Sequence, residues 1–343
     1  MPVARWMRRL ATAGVLLCVI VVVLGAYVRL SAAGLGCPDW PGCYGHITPI
    51  GAEQGAAAPV YGHRPLVPGK AWREMIHRYA AGTLGLVIVL ISALAITARR
   101  QRLVSVPLAL TLFATVIVQG LLGMLTVTWQ LKPLVVTLHL LFGMTTLALL
   151  WWLRLSLPAG PWSRAAGPRA GRLDRGGAAR TTRARGFALL GLAALAVQIA
   201  LGGWTSSNYA AVACPQLPTC QNAWWPRADY RNAFVLWRGL DTDYEGGVLD
   251  NSARVAIHLT HRLGAVAASA ALACAAGAVL RRRGLPGARA GAWAVLAALG
   301  LQLLIGMSMV TSGFPLWLAT AHTAGAALLL LATLALLHSL ASR

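Results

Sequence analysis

The chain has 343 residues, of which 57% are apolar and only 11% charged, with 30 Lys+Arg against 9 Asp+Glu. A soluble protein carries about a quarter charged residues, so this composition excludes a water-soluble enzyme, and its hydrophobicity excludes a disordered chain. Six cysteines are too few for a disulfide-built miniprotein, and the net charge of +21 does not mark a nucleic-acid binder, because no basic patch is interleaved with exposed aromatics.

A helix crosses the hydrocarbon core with about 20 mostly apolar residues. Eight stretches qualify, at about 10–30, 74–98, 104–127, 134–154, 186–206, 254–280, 290–311 and 316–339. They are long and continuous without apolar/polar alternation, which predicts helices rather than a barrel. The first follows Arg5, Arg8 and Arg9 in the manner of a secretory signal. Its apolar run is too long for one and no small-x-small cleavage site follows, so an uncleaved span is expected.

After the first span comes Cys37-Pro-Asp-Trp-Pro-Gly-Cys43, and the second opens on Glu74-Met-Ile-His77-Arg78. Gln119-Gly-Leu-Leu-Gly-Met124 lies in the third span and His139 in the fourth. The stretch 158–185 is rich in Arg, Gly and Ala, lacks apolar periodicity and is expected to be a mobile cytoplasmic linker. The landmarks then return in the same order: Cys214-Pro-Gln-Leu-Pro-Thr-Cys220, His258-Leu-Thr-His261-Arg262, Gln302-Leu-Leu-Ile-Gly-Met307 and His322. Their nearly constant offset predicts an all-α membrane protein of two pseudo-repeated four-helix bundles, 1–157 and 186–343, flanking the linker 158–185. Four spans is an even number, so the two bundles would be parallel, related by an axis along the membrane normal.

With the N-terminus cytoplasmic, the arginines at the start, around Arg99, throughout the linker, from Arg281 to Arg289 and at Arg343 all fall inside, with Asp174 as the one acid there. This is a strong positive-inside pattern. It places both termini in the cytoplasm and makes anionic lipid of the cytoplasmic leaflet the expected partner.

An ionisable residue within a span is a functional hypothesis by default. His77, His139, His261 and His322 each lie near the start of a helix entering from the outside, about 5–10 Å below the boundary at 1.5 Å per residue. Zinc wants a third or fourth protein ligand, and neither half supplies one at that depth. A porphyrin brings four nitrogens and needs two axial ligands. Gly82, Gly85, Gly143, Gly264 and Gly325 follow the histidines and would let a flat ring approach. Arg78 and Arg262 could pair with propionates. The bland alternative makes the histidines hydrogen-bonding glue between helices.

The halves differ three residues before the first histidine, where one has Glu74 and the other His258. An i,i+3 pair shares a helix face, so Glu74 is expected at the cofactor edge as a proton-exchanging acid. The alternative is a first-turn acid favoured by the helix dipole or paired with Arg73. His258 reads as an interfacial or supporting group rather than a third ligand. Disulfides persist in outer loops, and Cys37–Cys43 and Cys214–Cys220 are expected to close within their own loops; a thiol relay is the alternative. Cys18 and Cys274 read as buried thiols. The two long outer loops, with Trp40, Trp72, Trp224, Trp225 and Trp237, are expected to cover the outer layer of the bundles.

Taken together, the eight spans in two halves, Glu74-x-x-His77-Arg78, His139, His261-Arg262, His322 and the paired loop cysteines resemble the heme A synthase family over nearly the whole chain except the linker. The resemblance implies an oxidoreductase that converts the C8 methyl of heme O to a formyl group, with oxygen from water, giving heme A for terminal oxidases. It implies heme b as cofactor at His261 and His322, substrate heme O at His77 and His139, and Glu74 as the essential acid. It also implies a bacterial cytoplasmic membrane location and heme O synthase as a partner; homo-oligomers are compatible with the sequence. The residues alone also admit a diheme b-type cytochrome passing electrons from quinol, or a transporter built on parallel repeats.

Overall fold

The computed structural model describes residues 2–54, 64–101, 105–157, 175–240, 242–281 and 286–341. Among these there is no β-strand, and eight helices are long and apolar enough to cross a membrane. In chain order the helices are α1 (Pro2–Leu30), the short α2 (Pro49–Gln54), α3 (Pro68–Thr97), α4 (Val106–Thr128), α5 (Pro133–Ser156), α6 (Arg175–Ser207), the single-turn α7 (Tyr230–Ala233), α8 (Asn251–Leu280), α9 (Pro286–Thr311) and α10 (Leu316–Ala341). The chain is a multi-pass membrane protein. Several helices start earlier than their apolar runs, because the first turns lie among polar flanking residues that hydropathy does not score. Thus α1 already includes Arg5, Arg8 and Arg9, and α3 begins six residues before Glu74. The expected linker lies outside the described residues from 158 to 174; from Arg175 onward its sequence is helical and continuous with α6.

Proline sets several starts. Pro68 and Pro133 open α3 and α5, and Pro107 sits in the first turn of α4, positions where the missing N–H has no intrahelical partner to lose. Left-handed residues set several ends. Ala32 (φ 48) follows α1 and Tyr209 (φ 54) follows α6; Gln130 and Leu131 (φ 48 and 60) follow α4, and Gly313 and Phe314 (φ 73 and 60) follow α9. A residue in this region cannot continue a right-handed helix, so each of these spans stops sharply before the segment that follows it.

The packing order is simple. Helices α1, α3, α4 and α5 contact one another in a closed ring, and so do α6, α8, α9 and α10. The rings meet through α1 and α5 on one side and α6 and α10 on the other, where one core runs from Met7 and Leu150 to Leu330 and Leu337. Trp151 donates its indole N–H to the carbonyl of Leu331 (3.0 Å) across this seam. Arg29, at the end of α1, donates to the carbonyls of Ser206 and Ser207 (2.8 and 3.3 Å) and lies over the Tyr209 ring. Of the two cysteines within spans, Cys18 is buried as expected, whereas Cys274 is exposed on α8.

The segment between α6 and α8 reaches over to the first ring. Tyr244, 1% exposed, packs among Leu35, Val127 and Leu131 and donates its main-chain N–H to Gln130 (3.1 Å). Arg64 bridges to Asp243 (2.7 Å) and Glu245 (3.1 Å). Lys132, also 1% exposed, donates to the carbonyl of Gly239 with its ammonium over the Trp237 ring (3.2 Å to the centroid). Burial pulls the Lys132 ammonium below the ordinary lysine pKa; the carbonyl and the π face offset that cost. Replacing it (Lys132→Met) strands the Gly239 carbonyl, at about 1–3 kcal/mol. The expected outcome is faster chymotryptic cleavage at the half-exposed Trp237, with the eight helices intact by circular dichroism.

Candidate functional site

The site is built from four imidazoles, each carried by a helix and seated against the next. In the first ring, His77 of α3 and His139 of α5 face each other with ring centroids 6.5 Å apart and planes at 78°. In the second, His261 of α8 and His322 of α10 lie within electrostatic reach of each other. Every one of these rings presents its Cε1 edge to a glycine of a neighbouring helix. A Cβ built on Gly25 would fall 2.9 Å from Cε1 of His77, on Gly123 3.3 Å from that of His139, on Gly202 3.2 Å from that of His261, and on Gly306 3.0 Å from that of His322. Such distances are too short for a methyl group without displacement of the ring, so these glycines fix how closely each imidazole approaches its neighbour. They were missed by the sequence reading, which looked only along the histidines' own helices. The available signal was alignment of the halves, since Gly25 falls opposite Gly202 and Gly123 opposite Gly306.

The glycines that the sequence did single out behave differently. Nothing packs against Gly82 or Gly85. Gly143, Gly264 and Gly325 instead face the side chains of Gln119, Gln198 and Gln302, and these amides contact the histidines. Gln198 Nε2 lies 3.1 Å from His261 Nδ1 and donates to the His261 carbonyl (3.0 Å). Gln302 Nε2 lies 3.3 Å from His322 Nε2 and donates to the His322 carbonyl (3.1 Å). Gln119 Nε2 lies 3.5 Å from His139 Nε2.

Does this arrangement fit an iron porphyrin? A histidine nitrogen binds a metal at about 2 Å, and the imidazole centroid lies about 1 Å behind it, so two rings on opposite sides of one iron need centroids about 6 Å apart. The 6.5 Å between His77 and His139 meets that requirement. The Nδ1 atoms of His77, His139 and His322 are buried without a hydrogen-bond partner, which is costly for a polar atom and ordinary for a metal ligand. Among the described residues no three His, Cys, Asp or Glu converge into a cage for a bare metal ion. The donor set therefore suits a metal that arrives with its own equatorial ligands.

Above the imidazoles the next residue in sequence turns outward. Arg78 donates to the carbonyls of Asp39 (2.9 Å), Pro41 (3.3 Å) and Gly42 (2.5 Å) and pairs with Glu74 (2.5 Å). Arg262 donates to the carbonyls of Cys214 (3.0 Å), Gln216 (2.7 Å) and Thr219 (3.1 Å). Both guanidinium groups, expected at propionates, are thus directed at the cysteine loops. Those loops are closed by the disulfides Cys37–Cys43 and Cys214–Cys220, whose sulfurs are buried. Each loop also carries a bridge, Cys43 with His46 and Cys220 with Ala223.

Glu74 is buried one turn before His77. Its Oε2 accepts the Cys37 N–H (2.8 Å) and its Oε1 the Arg78 guanidinium. Its cationic partner is Arg78 rather than Arg73, which lies over the Tyr27 ring. His258, at the corresponding position, is buried and donates Nδ1–H to the Ala210 carbonyl (3.1 Å), so it supports the loop entrance and takes no part in the imidazole pair. Of the loop tryptophans, Trp40, Trp224, Trp225 and Trp237 are all exposed.

Comparison with known proteins agrees with this construction. A family model described as COX15-CtaA, cytochrome oxidase assembly protein, matches residues 8–334. A protein of Shewanella oneidensis named heme A synthase is 40% identical over 95% of this chain and 93% of its own length. Proteins of the same name from Sphingopyxis alaskensis and Erythrobacter litoralis are 27% and 28% identical, each over 99% of this chain and over 92% and 97% of their own lengths. The chain belongs to the COX15-CtaA family of cytochrome oxidase assembly proteins.

Proposed function

We propose that the chain is a heme A synthase, an oxidoreductase that converts the C8 methyl group of heme O to a formyl group with oxygen taken from water. The observation that carries this reading is the pair of imidazoles 6.5 Å apart beside a buried carboxylate, in a chain whose full-length relatives bear that name. Heme O is the substrate, held between His77 and His139. His261 and His322 hold heme b, which supplies one-electron redox chemistry when bound. The matching disulfides, left-handed turns and glycine seats at corresponding positions support a duplicated four-helix unit with two parallel halves, 1–157 and 186–343.

The asymmetry between Glu74 and His258 assigns the chemistry to the first half. A carboxylate can take up protons released as a methyl group is oxidised and hydrated, and the second half has no carboxylate at the corresponding position. Glu74 is held by Cys37 and Arg78, so its orientation is fixed by a disulfide loop and a guanidinium together. The basic linker and termini face the cytoplasm of a bacterial inner membrane and its anionic lipid, and the disulfide loops face outward. Heme O synthase is the natural donor of substrate.

Glu74→Gln keeps an acceptor for the Cys37 N–H and removes the charge. Heme extracted from cells carrying this variant is expected to contain heme O and no heme A, while the purified protein keeps its heme b. Normal heme A would leave only a role in holding the loop, and the chain would read as a diheme electron-transfer cytochrome. The buried disulfides are read as structural. Cys37→Ser is expected to lower the thermal midpoint of the purified protein, by about 2–5 kcal/mol of stability, without changing heme A formed per folded molecule. Loss of turnover at full stability would instead establish the thiol relay.

A further inference from the structure

Two arginines and a tyrosine at the loop end of the seam between the rings have buried polar atoms without partners. Arg29 lies four residues after Gly25, against which His77 is seated. It reaches across the seam to the carbonyls of Ser206 and Ser207 (2.8 and 3.3 Å), four and five residues after Gly202, the seat of His261. Its guanidinium lies over the Tyr209 ring, 4.2 Å from the centroid. Arg254 of α8 comes to the same tyrosine: its Nη2 and Cδ2 of Tyr209 both lie against Gly247, 3.3 and 3.0 Å from where a Cβ would stand. The Nε of each arginine and the hydroxyl of Tyr209 are buried with no hydrogen-bond partner.

Among the described residues neither arginine forms an ion pair. Asp250, one turn before Arg254, accepts its main-chain N–H and not its guanidinium. Glu245, the acid that Arg29 feels electrostatically, is held by Arg64 (3.1 Å) and Lys70 (3.8 Å). The corresponding cation of the first half differs in this respect. Lys70 stands seven residues before His77, as Arg254 stands seven before His261, and Lys70 has Glu245.

A guanidinium carries five donors and no acceptor, and a charge withdrawn from water costs free energy unless an opposite charge meets it. Arg29 spends one nitrogen on two carbonyls, and Arg254 spends none of its side-chain donors on protein. Two such groups around one phenol suit a carboxylate, whose paired oxygens match the guanidinium fork. We infer that Arg29, Arg254 and Tyr209 bind a carboxylate side chain of the porphyrin ligated by His261 and His322. Axial ligands on facing helices set a macrocycle's plane along those helices, so one edge points to the loop end of the bundle and the opposite edge away from it. From Leu263 to Leu280 α8 has no charged residue, so the charged edge belongs at the loop end. Arg254 stands about 10 Å from His261 in that direction, at 1.5 Å per residue. Arg78 and Arg262 donate to the carbonyls of the disulfide loops, which leaves this pair as the cations with donors to spare. The inference rests on the proposed heme ligation by His261 and His322 and adds the groups that fix the ring's orientation there. Because Arg29 comes from the first half, the bound carboxylate also fastens the two rings to each other.

The test uses full-length protein purified with its heme from a His77→Ala/His139→Ala background, in which the second imidazole pair alone is left. The midpoint potential is read by spectroscopic titration. Preference for heme over heme dimethyl ester, whose carboxylates are blocked, is read by exchanging the holoprotein against an equal mixture of the two. Arg254→Gln is expected to reduce that preference about tenfold or more. It is also expected to move the potential downward, because a cation beside the heme favours the ferrous state, which carries one positive charge less. Arg254→Lys is expected to return both readouts toward those of the Arg254 protein. Arg29→Gln is expected to act in the same direction and to lower the thermal midpoint as well, because its bonds to Ser206 and Ser207 are lost. If the background fails to fold, the same readouts on the chain with all four histidines serve, the two hemes being separated by their midpoints. A folded background protein that binds no heme would defeat the ligation reading itself. One that binds heme, but prefers the carboxylate form equally with Arg254 and with Gln in its place, would overturn the carboxylate site alone, whatever the potential does.

Discussion

The close seating of an imidazole edge on a glycine is the contact on which the rest of this structure depends. A histidine within a membrane bundle costs free energy unless its polar atoms are satisfied, and the bundle must also hold its ring in one orientation for a ligand to bind. Glycine at Gly25, Gly123, Gly202 and Gly306 does the second by letting the neighbouring helix come within contact distance of Cε1. The helices that supply glycine and the helices that supply histidine then have to be adjacent, which is the order observed: α1 beside α3, α4 beside α5, α6 beside α8 and α9 beside α10. The closed rings follow from that pairing together with the apolar seam between them.

The dipeptides His77-Arg78 and His261-Arg262 extend the same constraint outward. Neighbouring residues on a helix point about 100° apart, so a ring aimed into the bundle puts the next side chain toward the helix flank and the loop above it. The guanidinium groups meet three or more carbonyls of a disulfide loop there. Ring orientation and loop position are thereby linked through one turn of helix. Glu74 adds a second tie in the first half, to the N–H of Cys37, and His258 a different one in the second, to the carbonyl of Ala210. One position thus serves the same mechanical purpose with opposite hydrogen-bond polarity, and only the carboxylate version carries charge into the site.

Much of this was legible in the sequence because it is written locally. Span lengths follow from runs of apolar residues, and the histidines stand out because ionisable residues are few in those runs and these four recur at corresponding places. The cysteine loops show themselves by spacing. What was not legible depends on pairs distant in the chain. The seat glycines look like any small residue of a membrane helix until the facing ring is known, and Gln119, Gln198 and Gln302 read as scattered polar residues until their slots are seen. The contacts of Arg78 and Arg262 with the loop carbonyls were likewise not legible, because only the loop's path reveals those acceptors. Arg73 failed as the partner of Glu74 because i,i+4 brings Arg78 onto the same face, whereas an adjacent residue points elsewhere.

The segment between α6 and α8 ties the two rings together from one side. Lys132, Arg64 and the pocket for Tyr244 belong to the first half, and their partners Gly239, Trp237, Asp243, Glu245 and Tyr244 itself all come from the second. At the position corresponding to Lys132 the second half has Pro315, which has neither charge nor N–H to offer a loop. The cover therefore runs one way, from the second half over the first. Burial of an aromatic such as Tyr244 is worth about 1.5–3 kcal/mol, and the desolvated lysine must keep its carbonyl or lose a comparable amount. These terms tether the segment to the first ring.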